Sequence, residues 1–153
     1  MKPWIWLRVA SFLQALGTVG HTIAFFDSPS RGPGEEAVFN VMQAYRFNIV
    51  GVTRSHWDFY QGYGLSITVT FAFLAVLMWQ LSNLSRTAPE HARPLIFTVL
   101  ICEIFMSLIG WLYFFAAPGV TALLIAACLV AALFTLPRGE QTSLATRMES
   151  KAS

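Results

Sequence analysis

Charge is scarce in this chain: Asp, Glu, Lys and Arg make up only 12% of its 153 residues, half the share of an average soluble domain, while 56% are apolar. That deficit places it among integral membrane proteins. The basic residues are scattered and the net charge is only +2, so the concentrated Lys/Arg footprint of a nucleic-acid binder is absent and nucleic acid is excluded as a partner. Cysteine is scarce too. Cys102 and Cys128 both fall inside apolar segments, without a CxxC or ligand-like spacing, and read as small packing residues, not as a disulfide. No Gly-x-Ser-x-Gly elbow and no phosphate-cradling glycine loop occurs. A zinc set fails because His91 belongs on the opposite side from His21 and His56, and those two lack any other haem signature. No metal and no cofactor is expected.

What the sequence has instead is length of apolar run. Three segments reach or exceed the roughly 20 residues that cross about 30 Å of hydrocarbon, and a fourth comes close. The fold class expected is all-α: an integral membrane four-helix bundle over residues 1–137, with spans at about 4–26, 59–81, 95–117 and 119–136. An additional short amphipathic helix lies between the first and second spans, and a polar, disordered tail covers 138–153.

The first run could pass for a secretion signal, but it is longer than a signal core, is interrupted by Gln14 and His21, and leaves through Ala24-Phe25-Phe26-Asp27 without a small-x-small site. Ser11, Gln14, Thr18 and His21 recur at three- and four-residue steps on one side, which should face protein. Glycine and proline between Asp27 and Gly34 break the helix. Glu35 and Glu36 then open a helix over about 35–50 in which Val38, Val41, Met42, Tyr45 and Ile49 keep helical spacing, ended by Gly51. It is too short to span, so it lies at the membrane surface or caps the bundle.

The second span opens on Trp57, Phe59, Tyr60 and Tyr63, ring types that favour the membrane interface. Gly62, Ser66 and Thr70, and separately Gly64, Thr68 and Ala72, form four-residue rows that allow close helix packing. Residues 82–94 read as a polar loop. Lys2, Arg8, Arg86, Arg93, Arg138, Arg147 and Lys151 fall on one side of four spans and Arg31, Arg46 and Arg54 on the other, so both termini are expected in the cytoplasm. The Asn83-Leu84-Ser85 sequon then falls on the cytoplasmic side and is disregarded.

Two constellations could carry chemistry. At the outward end, His21, Arg46, Arg54, His56, Asp58, Tyr60 and Gln61, with Tyr45 nearby, could form a polar cap suited to a small amphipathic or lipid-like anionic ligand. Taken singly, Asp58 and His56 also fit a helix cap or a solvated loop, and His21 fits an interhelical hydrogen bonder. Paired, His21 and Asp58 could act as a general base and its orienter.

Inside the membrane, Glu103 lies eight residues beyond Leu95, about 12 Å deep, with Gln14 about 15 Å and Arg8 about 6 Å along the first helix from Trp4. A carboxylate there must pair or become neutral. With Gln14, Thr18 and Ser107 it forms a polar core that is either a proton or cation site of a proton-linked transporter or a structural acid fixing helix register. Small exporters of four helices carry their acid in the first helix, which weakens that parallel. The small-residue rows leave a third reading, a structural subunit docked on a membrane partner protein or on a second copy of itself.

Gly20-His21-Thr22, Phe47 and Arg54-Ser55-x-Trp57-Asp58-Phe59-Tyr60-x-Gly62-x-Gly64-Leu65 together resemble an uncharacterised family of small bacterial four-helix membrane proteins. The resemblance covers most of the chain and is most specific in its Trp-Asp-Phe-Tyr segment. It implies the four-helix fold and a bacterial cytoplasmic (inner) membrane, and it brings no reaction with it.

Overall fold

A computed structural model describes residues 2–27 and 30–137; the tail 138–153, with Ser28 and Pro29 of the first turn, lies outside the described residues. The order is α1 (Pro3–Phe26), α2 (Pro33–Ala44), β1 (Arg46–Ile49), β2 (Val52–Ser55), α3 (His56–Thr87), α4 (Pro89–Tyr113) and α5 (Ala116–Thr135). α1, α3, α4 and α5 contain 24, 32, 25 and 20 residues. At 1.5 Å per residue each is at least about 30 Å long, enough to cross a bilayer.

Their surfaces fit lipid as the solvent. Only 17% to 39% of each apolar window is buried, and Phe12, Phe73, Leu112 and Phe134 are between 63% and 83% exposed. An apolar surface of that extent is untenable in water and ordinary in hydrocarbon. Four long apolar helices fit a multi-pass membrane protein.

The chain divides into two compact units, one of Met1–Gly17 with Phe73–Ser153 and one of Thr18–Ala72. In the first, Leu7 and Ala10 of α1, Met78 and Leu81 of α3, Ile96 and Val99 of α4, and Ile125 and Leu129 of α5 share one core. Buried hydroxyls tie the helices together where apolar attraction between them is weak: Ser11 donates to the Ala75 carbonyl at 2.7 Å and Ser107 to that of Gly119 at 2.9 Å. α4 and α5 meet so closely that a Cβ on Gly110 would stand 2.7 Å from the Gly119 nitrogen.

The second unit holds the end of α1, α2, the β1–β2 hairpin and the start of α3. The expected single helix over 35–50 is corrected here. α2 stops at Ala44, and Tyr45 and Ile49 belong to no helix; residues 46–55 form an antiparallel hairpin pairing Arg46 with Ser55, Phe47 with Arg54, Asn48 with Thr53 and Ile49 with Val52. β-branched Ile49, Val52 and Thr53 favour extended backbone, and Gly51, at φ 82°, makes the turn and does not end a helix. On α2, Val38 and Val41 are exposed, while Phe39 packs on Trp57 and Tyr60 at ring distances of 5.1 and 6.4 Å.

Two connections differ from what the sequence suggested. The polar loop over 82–94 is almost entirely helical, because nothing before Ala88 breaks α3 and Pro89 is tolerated at the start of α4. Likewise Pro118 sits in the first turn of α5, where a missing N–H costs nothing, so the break falls upstream at Phe114 and Phe115.

Candidate functional site

α3 begins on a reciprocal cap. The Ser55 N–H donates to Asp58 Oδ2 at 2.8 Å and the Asp58 N–H donates to Ser55 Oγ at 3.1 Å, which satisfies amides that the first turn leaves free. Asp58 therefore fixes where the hairpin hands over to the helix. Phe47 and Arg54, opposite one another in the hairpin, share one of its faces. Phe47 stacks on Phe59 at 6.0 Å, and Arg54 also donates to the Thr53 carbonyl at 3.1 Å.

Beside Arg54 an open groove of about 320 Å³ runs along α3, lined by Arg54, Asp58, Phe59, Gly62, Tyr63 and Ser66. Its composition is graded. A guanidinium and a carboxylate stand at the hairpin end, two rings flank it, and Gly62 and Ser66 leave the far end without bulk. The sequence pattern points to Arg54 and Asp58 but reads Gly62 and Ser66 as a helix-packing row; the missing information was that no helix among the described residues covers that row.

The remaining candidates do not line this groove. His56 stacks on Tyr45 at 5.8 Å and meets Phe47 at 4.9 Å. Tyr60 joins Trp57, Phe39 and Phe25 in a separate aromatic chain. Arg46 lies across the hairpin from Ser55 and is exposed, and Gln61 is half-buried on α3.

His21 is held elsewhere. Its Nδ1 lies 3.1 Å from Thr68 Oγ1, its ring stacks on Phe25, and Thr22 joins Thr68 at 3.4 Å while donating to the Thr18 carbonyl. Thr68 is ten residues beyond Asp58 on the same helix, about 15 Å at 1.5 Å per residue. His21 and Asp58 are thus not brought together, and the general-base pairing has no geometry behind it. The interhelical hydrogen-bond role for His21 is what its contacts describe.

In the other unit, Glu103 is 2% and Gln14 4% exposed. Glu103 Oε1 has no hydrogen-bond partner among the described residues, an expensive condition for a buried oxygen. Ser107 does not orient it: its hydroxyl proton goes to the Gly119 carbonyl, which fastens α4 to α5. Among the described residues no three His, Cys, Asp or Glu side chains gather as a metal site would require.

The fold defines a class, that of multi-pass membrane proteins with four apolar helices. Within that class no particular relative emerges, since no family model, no curated protein and no solved structure matches the chain.

Proposed function

We propose that this protein binds a small amphipathic or lipid-like molecule with an anionic head in the groove between the hairpin and α3, on the outward side of a bacterial inner membrane with both termini in the cytoplasm. The supporting observation is the grading of that groove: Arg54 at one end, the Phe59 and Tyr63 rings along it, and open space at Gly62 and Ser66. Its volume falls in the range of small-molecule sites, and its polarity changes in the sense an amphiphile requires. The amphipathic character expected of α2 belongs to the same proposal, with exposed Val38 and Val41 resting in the membrane interface. So does the bacterial family resemblance.

The test is thermal unfolding in a neutral detergent with dodecyl phosphate, against dodecyl maltoside alone. Dodecyl phosphate should raise the Tm of the wild type. A Cβ at Gly62 meets nothing within 4 Å, so Gly62→Leu fills the groove without disturbing the fold. That variant, like Arg54→Gln, should lose the shift; an equal shift in all three proteins would sink the proposal. Orientation is read from a cysteine placed at Val50, 97% exposed at the hairpin tip. A membrane-impermeant maleimide should label it in intact cells.

A second reading, proton-linked transport, is favoured by one observation, the unpartnered Oε1 of Glu103. Buried intramembrane carboxylates are costly and mark proton or ion paths. In proteoliposomes carrying a pH-sensitive dye, Glu103→Gln should abolish a pH-driven flux, and an unaltered flux would remove Glu103 from any mechanism.

A further inference from the structure

At the Trp4 end of α1, in the unit that lacks the groove, two arginines gather on one indole. Arg8 Cζ stands 5.6 Å and Arg86 Cζ 5.5 Å from the centre of the Trp4 ring, and Arg8 Cζ also lies 4.1 Å from that of Trp79. Arg8 is positioned further by polar contacts. Its Nε donates to Ser82 Oγ at 3.4 Å and one terminal nitrogen to Asn83 Oδ1 at 3.5 Å, while buried Ser82 is itself fixed by donating to the Trp4 carbonyl at 3.1 Å. The guanidinium is therefore oriented before any ligand arrives.

Neither cation has an ion-pair partner among the described residues. The single ion pair among the described residues joins His91 to Glu90. A guanidinium held over a ring keeps N–H groups at its edge; at Arg8 the Nε edge is taken by Ser82 and Asn83, and the edge between the two terminal nitrogens remains, in the fork geometry that matches a phosphate. Arg8 lies five residues inside α1, about 7.5 Å from its start, so its head group is held at the level where hydrocarbon gives way to lipid head groups. Trp79, half exposed beside it, is the ring type that favours that level.

We infer that Trp4, Arg8, Trp79, Asn83 and Arg86 form a binding site for the phosphate of an anionic phospholipid in the adjoining leaflet. Two cations on one indole favour a lipid with net negative charge over a zwitterionic one, whose ammonium group they repel. The head-group phosphate meets the guanidinium edges, and the acyl chains lie along the lipid-facing apolar surface below Trp79. The site shares no residue with the groove at Arg54 and stands or falls independently of it.

The test uses the full chain in dodecyl maltoside and native mass spectrometry, with phosphatidylglycerol, phosphatidylcholine of the same chains, and inorganic phosphate as separate arms. Phosphatidylglycerol should remain bound in preference to phosphatidylcholine, and inorganic phosphate should neither bind nor compete at the same concentration. Arg86 is exposed, so Arg86→Gln should fold and weaken retention about fivefold. The double replacement Arg8→Lys with Arg86→Lys keeps the charge, and with it any purely topological role, but loses both forks; it should also weaken retention. Equal retention of the two lipids, or undiminished phosphatidylglycerol retention in both variants, would overturn the site. Competition by inorganic phosphate alone would overturn the lipid as its ligand.

Discussion

The ring of Phe25 lies directly over the backbone of Gly64, so close that a Cβ built on Gly64 would stand 2.1 Å from Phe25 Cε2. This contact sets the approach of α1 and α3 within their shared unit, because the same ring stacks on His21 at 6.1 Å and meets Tyr60 at 5.8 Å. Gly64→Ala should destabilise by about 1–3 kcal/mol, the usual cost of overpacking. Calorimetry or denaturant titration in micelles would measure it. Phe25→Leu in the same chain should recover part of the loss, and simple additivity of the two changes would refute the contact.

A second expectation concerns the cap at α3. Ser55→Ala and Asp58→Ala should each cost about 1 kcal/mol, and the double change less than their sum, since each side chain serves the other's amide. The comparison needs only unfolding midpoints for four proteins. Fully additive losses would mean that the two residues act apart.

The hairpin tip carries strain that a different residue would relieve. Val50 has φ 50° and Gly51 φ 82°, both positive as a two-residue primed turn requires, and a β-branched side chain is unsuited to the first of these. Asn48 partly compensates by accepting the Gly51 N–H at 2.9 Å. Val50→Asn is expected to raise stability by about 1 kcal/mol, seen as a higher midpoint with an unchanged slope. A loss of stability would indicate that Val50 is itself buried in the membrane interface.

Glu103 offers the opposite kind of test. An unsatisfied buried oxygen is a burden on the fold, so Glu103→Met, apolar and of similar volume, should be neutral or stabilising by about 1 kcal/mol. A large destabilisation would make this acid a structural member of the core and weaken the transport reading.

By itself the sequence determined four apolar runs long enough to cross a bilayer. Apolar runs of sufficient length have one stable environment, and their lengths agree with the helices to within a few residues where a span ends in a clear breaker, as α1 does after Phe26. It also located the buried acid and Asp58 as a cap of the helix start, although not its partner Ser55 three places earlier.

Only the tertiary structure decided the rest. Whether Tyr45 to Ser55 would extend a helix or turn back as a hairpin depended on strand pairing between residues up to nine apart, which helical spacing of apolar residues does not register. His21 was assigned to Thr68 and not to Asp58 by the packing of α1 on α3. The row at Gly62 and Ser66 became the wall of a groove because nothing among the described residues packs over it. Burial against lipid is a property of each segment taken alone, whereas the choice of which polar groups meet is made between segments distant in the chain.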